Sequence, residues 1–273
     1  MALAQQLWFI PIGFAVGAYG TLIGAGGGFV LMPVLLLLYP RQSPELLSSI
    51  SLAVVFLNAL SGSAAYAYQR RIDYRSGVMF SVAAVPGAIL GALTSPFIPR
   101  RIFDLVFGIV LIAGSVALAV RPQRRETQIK IEGIGIVVRR IMDRNGVVST
   151  YVFPPLPGIL LSLFVGYLSS LLGIGGGIIH VPILANLLHF PVHIATATSH
   201  FVLAVTALAG TITHVAAGVF AQGLNRVLLL GIGVVGGAQL GAYLSPRIHG
   251  KWIMRGLALA LGIVGVRILA GAI

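Results

Sequence analysis

Long apolar runs, separated by short basic or proline-bearing breaks, fill this chain almost from end to end. Five follow one another in the first half: Leu7 to Ile23, Phe29 to Tyr39, Leu46 to Tyr68, Gly77 to Phe97 and Arg101 to Val120. A helix rises 1.5 Å per residue and needs about 20 residues to cross a bilayer. The run from Phe29 to Tyr39 is too short to cross alone and predicts a half-helix or re-entrant piece. Between the second and third runs, Ser43-Pro44-Glu45 predicts a helix start, with Ser43 as N-cap, Pro44 at the first position and an acid in the first turn. Pro86-Gly87 predicts a kink in the fourth run.

A glycine run appears twice within this pattern. Gly24-Ala25-Gly26-Gly27-Gly28 interrupts the first apolar stretch, and Gly173-Ile174-Gly175-Gly176-Gly177 interrupts the stretch from Leu160 to His189. A proline follows each run at the same distance, Pro33 after Gly28 and Pro182 after Gly177. Glycine costs roughly 1 kcal/mol per residue inside a helix, so each run predicts a break. Backbone opened at membrane depth is tolerated only against protein or a water-filled cavity. Close packing alone calls for glycine at four-residue spacing, not three in succession.

The breaks belong to a repeat. The glycine runs and prolines align at an offset of 149, Ser51 with Ser199 and Gly62 with Gly210 at 148, and Gly87-Ala88-Ile89-Leu90-Gly91 with Gly237-Ala238-Gln239-Leu240-Gly241 at 150. The chain therefore predicts two homologous helical repeats, 1–122 and 157–273, joined by a connector over 123–156. Arg70, Arg71 and Arg75 fill one loop of the first half, whereas its counterpart, Ala216 to Asn225, has no basic residue. That difference favours opposite sides and an inverted arrangement over a parallel one. The segment Arg121 to Pro157 carries seven basic residues and ends in Pro154-Pro155-Leu156-Pro157, reading as a basic cytoplasmic connector with a rigid tail. Ile129 to Val138 within it suits either a short strand or an amphipathic surface helix.

Composition fixes the setting. The chain is 58% hydrophobic and 9% charged, with mean hydropathy +1.00, so it reads as an all-α polytopic membrane protein of the cell (inner) membrane. Its net charge of +12 sits in loops, where topology and anionic lipid account for it without nucleic acid. The absence of cysteine excludes disulfides and thiolate sites. His189 and His193 have metal-ligand spacing, but Pro191 between them spoils the helix that spacing needs. No cofactor is implied.

The chemistry left for the membrane interior is that of an anion site. All six acids (Glu45, Asp73, Asp104, Glu126, Glu132, Asp143) fall in loops or at span ends. A cation site, a carboxylate relay or an aspartyl protease would need one in mid-span. Hydroxyls, amides and histidines remain, donors without fixed negative charge. Half-helices starting at the glycine runs would aim backbone N–H groups at a small anion. The predicted site therefore comprises Gly26, Gly27, Gly28, Gly175, Gly176 and Gly177, with Ser51, Thr198, Ser199 and His200 from the helices that follow. Ser51 and Ser199 are its hydroxyl donors, and His200 could carry a proton with the anion.

The paired Gly-x-Gly-Gly-Gly runs with their prolines, together with Ala197-Thr198-Ser199, resemble the sulfite exporter TauE/SafE family of membrane permeases. The likeness spans both halves, Phe9 to Pro122 and Pro157 to Ile273. It implies a secondary transporter of sulfite, thiosulfate or an organosulfonate, driven by the proton gradient or by the anion's own gradient, since no phosphate-binding loop is present. Half one departs from the pattern with Ser49-Ile50-Ser51 in place of Ala197-Thr198-Ser199. An anion channel and a non-transporting scaffold subunit are the competing readings; no carboxylate pair or His-Glu motif points to an enzyme. Alkaline phosphatase fused after Arg125 is expected to be inactive in intact cells, and an active fusion would place the connector outside the cytoplasm.

Overall fold

The computed structural model describes residues 7–120, 136–248 and 250–272. Among these lie ten α-helices: α1 (Phe9–Ile23), α2 (Gly28–Leu38), α3 (Pro44–Tyr68), α4 (Tyr74–Thr94), α5 (Arg100–Val120), α6 (Pro155–Leu172), α7 (Gly177–Pro182), α8 (Val192–Ala216), α9 (Leu224–Leu244) and α10 (Gly250–Ala272). A hairpin of β1 (Val137–Met142) and β2 (Val148–Phe153) stands between α5 and α6. Five stretches, 44–68, 74–97, 155–172, 192–216 and 220–247, are long and apolar enough to cross a membrane. The chain is an all-α polytopic membrane protein carrying one small sheet among the described residues.

Helix starts follow local chemistry. Ser43 caps α3, its Oγ accepting from Leu46 N, with Pro44 in the first position and Glu45 in the first turn, as the sequence predicts. Asp73 caps α4 through Ser76 N. Pro86 lies inside α4, which stays helical to Thr94 before one 3₁₀ turn at Ser95–Phe97. Pro182 lacks an N–H to continue α7, and the chain loosens there into a π-turn over Ile183–Leu187.

Packing exchanges helices between the halves. The first helix of each half lies along the fourth of the other, α1 on α9 and α6 on α4. Both contacts rest on glycine faces. A Cβ at Gly17 would lie 2.6 Å from Val234 O, and Cβ atoms at Gly233, Gly237 and Gly241 would run into the α1 backbone at Ile10, Phe14 and Ala18. Gly87 and Gly91 of α4 meet α6 in the same way at Leu163 and Tyr167. Apolar burial cannot drive helix association inside a bilayer, where lipid is equally apolar, so close backbone approach takes over that role. The third helices, α3 and α8, cross at the centre and run antiparallel, with Gly62 against His200 and Gly210 against Leu52. The fifth helices, α5 and α10, also run antiparallel, with Gly108 against Leu269 and Gly114 against Leu261.

The hairpin docks on the loop between α3 and α4. Arg71 pairs with Asp143 at 3.2 Å, Arg144 N donates to Gln69 O, and the Arg144 guanidinium sits 3.8 Å over the Tyr68 ring. The basic loop around Arg71 and the hairpin thus lie on one face of the molecule. Of the segment Ile129 to Val138, residues 129–135 lie outside the described residues, while Val137 and Val138 open β1 opposite Phe153 and Val152.

The glycine faces generate a stability prediction. Gly237→Val should lower the unfolding midpoint sharply, at a cost of about 2 kcal/mol or more for forced separation of packed helices. Gly271→Ala, whose Cβ would meet nothing within 4 Å, should leave it unchanged. Equal thermal-shift curves for the two variants would contradict the packing role.

Candidate functional site

The two glycine loops meet at the centre of the molecule. In each, the first, third and fourth residues of the pentapeptide have positive φ: Gly24, Gly26 and Gly27 at 82°, 74° and 77°, and Gly173, Gly175 and Gly176 at 67°, 81° and 65°. Only glycine adopts such values without strain, whereas the second position, Ala25 or Ile174, is ordinary and buried. The fifth glycine is required by contact and not by φ. A Cβ at Gly28 would lie 2.5 Å from Ile174 O, and one at Gly177 would lie 2.6 Å from Gly24 O. Each loop therefore occupies the space a side chain on the other would need.

The matched serines clamp this contact. Ser51 Oγ donates to Gly173 O at 2.5 Å, and Ser199 Oγ reaches Gly24 O at 3.5 Å. Each belongs to one half and bonds the first glycine of the other half's loop. Their equal spacing from the glycine runs has this cross-repeat geometry as its physical cause.

Beside the second loop lies a small cavity, lined by residues of α4, α6, α7 and α8. Its polar lining is Ser162, Ser169, His180, Ser199 and Thr206, together with the backbone of Gly175, Gly176 and Gly177. His180 Nε2 stands 3.0 Å from Ser162 Oγ, and the Ser162 hydroxyl donates to Gly158 O at 2.7 Å. With its one proton so placed, Ser162 accepts from His180 Nε2–H, which leaves Nδ1 as a bare acceptor. His180 Nδ1 and Ser169 Oγ are buried and have no protein partner. Thr206 bonds back to Val202 O and Leu203 O of its own helix.

Of the ten residues the sequence singles out, Gly175, Gly176, Gly177 and Ser199 line this cavity. Gly26 and Gly28 pack in the central contact, Gly26 against Leu203 and Gly28 against Ile174 and Val55; Gly27 packs on Val16 of α1. Ser51 is engaged with Gly173 O. Thr198 turns to the hairpin face, where its Oγ1 accepts from Asp73 N at 3.0 Å. His200 sits in a separate buried cluster, its Nε2 3.3 Å from Thr21 Oγ1, which donates to Asn58 Oδ1, and its ring edge-on to Tyr66.

Repeat alignment shows where the cavity residues were legible. Ser162, Ser169 and His180 match Gly13, Gly20 and Leu31 at the 149 offset. A Cβ at Gly20 would run into Gly27 N, so loop and helix touch in half one. At the matching place in half two, the Ser169 side chain stands between α6 and Gly176. One serine in place of glycine keeps the second loop off its helix and leaves the cavity there. Ser162 escapes a search for polar clusters, but polarity that differs between aligned positions marks all three.

A family model described as Sulfite exporter TauE/SafE matches residues 9–268. The chain belongs to the sulfite exporter TauE/SafE family. Probable membrane transporter protein YunE of Bacillus subtilis is 30% identical over 268 residues, covering 95% of this chain and 96% of its own. Probable membrane transporter protein MJ0441 of Methanocaldococcus jannaschii is 28% identical, covering 94% and 92%. A Probable membrane transporter protein of Xylella fastidiosa is 24% identical, covering 94% and 90%. No solved structure matches the chain. As a TauE/SafE member with at least five potential spans, the chain is a multi-pass membrane transporter.

The loops generate their own test. Gly176→Leu should leave the protein in the membrane but abolish transport, because a side chain there meets Ser169 and Val165 within about 3.1 Å at a positive φ. Wild-type uptake by this variant would mean that the loop geometry has no part in function.

Proposed function

We propose that this TauE/SafE protein carries a small sulfur oxyanion (sulfite, thiosulfate or an organosulfonate) across the cell (inner) membrane, and that the cavity beside the second glycine loop is its binding site. The observation that carries the reading is chemical. A cavity without any carboxylate is lined by Ser169 and His180, whose Oγ and Nδ1 have no protein partner. Buried polar groups are nearly always satisfied, so two unsatisfied ones on residues lining the same cavity suit a ligand that can bond both. An anion with several oxygens accepts from Ser169, whose hydroxyl has no protein partner. The bare Nδ1 suits an anion that arrives protonated, or takes up a proton as a dianion binds. In this reading His180, and not His200, couples substrate to protons.

The same reading orders the rest of the chain. Antiparallel pairing of α3 with α8 and of α5 with α10 supports repeats 1–122 and 157–273 as inverted copies about a connector over 123–156. The face bearing Arg70, Arg71, Arg75 and the hairpin is cytoplasmic by its positive charge. No enzyme activity and no nucleic-acid partner enter it.

Calorimetry on purified protein tests the site. Ser169→Ala should weaken sulfite binding about tenfold to a hundredfold, the worth of one donor to an anion. In wild type, sulfite affinity should rise as pH falls, and His180→Gln should flatten that dependence. Proton uptake on binding, measured in buffers of different ionisation enthalpy, should vanish in His180→Gln. Unchanged affinity and unchanged pH dependence in the Ser169→Ala/His180→Gln double variant would place the site elsewhere.

A further inference from the structure

The β-hairpin reaches the cavity residue His180 through a chain of buried side chains. Phe80 of α4, one turn before the lining residue Ala84, packs edge-on against the cavity residue His180 at 5.7 Å between centroids. Behind Phe80 pack Phe153 of β2 and Phe190, with ring centroids at 6.2 and 6.5 Å, and Tyr151 stacks in turn on both, 6.2 Å from Phe153 and 4.4 Å from Phe190. All four rings are buried. Two of them, Tyr151 and Phe153, belong to the hairpin, and the others to the helical body.

The outer end of this stack is fastened by a buried carboxylate. Asp73, in a loop by sequence, is only 4% exposed. Tyr151 OH donates to its Oδ2 at 2.8 Å, the Arg139 Nε of β1 lies 3.5 Å from the same oxygen, and Ser76 bonds it from α4. Burial first, then the neighbouring Asp73 charge, raises the Tyr151 hydroxyl well above its usual range, so it stays a donor. Asp73 N also donates to Thr198, whose neighbour Ser199 lines the cavity. The latch is thus one residue from the site through α8.

The other face of the molecule lacks these groups. In the repeat alignment Asp73 matches Gly223 and Thr198 matches Ile50, and those two residues also touch: a Cβ at Gly223 would run into the Ile50 side chain. Gly223 occupies the N-cap of α9 as Asp73 does that of α4. The polar latch is therefore an addition to one face of a pseudo-symmetric frame, present where the hairpin docks.

We propose that the β1–β2 hairpin is the gate of this cavity on the connector face, closed by the Phe80–Phe153–Phe190–Tyr151 stack and latched by Tyr151 and Arg139 on Asp73. It deepens the proposed function, since it assumes that the cavity is the transport site. Opening requires β2 to withdraw its two rings from Phe80 and Phe190. What holds it is two buried rings and a few polar bonds, none of them part of a helix's own backbone ladder, so the hairpin can part from the body without unfolding a helix.

A chain with no cysteine allows a direct test. Gln69 and Arg144 are joined backbone to backbone at 3.1 Å, so a Gln69→Cys/Arg144→Cys pair can be oxidised to staple the hairpin to the body. Thr206→Cys, in the cavity but bonded only to its own helix, reports access when a small, membrane-impermeant sulfonate thiol reagent is applied to each face of sealed vesicles in turn. Labelling from the hairpin face should fall at least about tenfold in the stapled protein, and transport should stop until a reductant is added. Tyr151→Phe, which removes one hydroxyl, should raise labelling from that face about tenfold, the worth of a hydrogen bond to a carboxylate. Unchanged labelling and transport in the stapled protein would overturn the gate while leaving the binding site in place. Blocked labelling in a protein that binds no sulfite would uphold the gate and overturn the substrate.

Discussion

Everything at the centre of this molecule depends on two backbone loops touching without side chains between them. Gly28 lies against Ile174 O and Gly177 against Gly24 O, so neither loop can take even a Cβ at the contact. The three positive-φ residues of each pentapeptide turn the chain sharply enough to bring that contact about. From it follow the crossing of α3 over α8, the serine clamps Ser51 to Gly173 and Ser199 to Gly24, and the exchange of first helices between halves. In lipid, where apolar burial drives little association, such backbone contact and its few hydrogen bonds must position the helices.

The proposed site lies where the two halves stop matching. The frame is nearly symmetric, yet Ser162, Ser169 and His180 replace Gly13, Gly20 and Leu31 around the second loop. Added side-chain volume at Ser169 holds the loop away from its helix, and added polarity makes the resulting space hospitable to an anion. On the connector face the same logic replaces Gly223 and Ile50 by Asp73 and Thr198 and docks a hairpin on them. A polar group buried in this setting is costly unless partnered, so each such replacement marks a place that has gained a partner or awaits one.

Much of this was legible in the sequence because membrane helices obey few rules. The glycine runs announced broken helices, Ser43-Pro44-Glu45 announced the start of α3, and the aligned serines announced equivalent positions. Their role in bonding the opposite loop was not legible, since it depends on which repeat packs against which. Asp73 read as one charge in a basic loop, and only the docking of Tyr151 and Arg139 buries it. His200 and Thr198 sit one residue either side of Ser199 and yet face other surroundings, because successive helical positions point about 100° apart. His180 and Ser169 were visible as polar residues in apolar runs, while the cavity they share is a property of packing alone.

Counterflow of labelled sulfite in proteoliposomes tests the central claim most directly, that a saturable anion site alternates between the two faces. Vesicles preloaded with unlabelled sulfite should accumulate label transiently above its equilibrium level, and preloading with a cation salt alone should produce no overshoot. Label that rises only to equilibrium, or does not enter at all, would contradict a carrier built around this cavity.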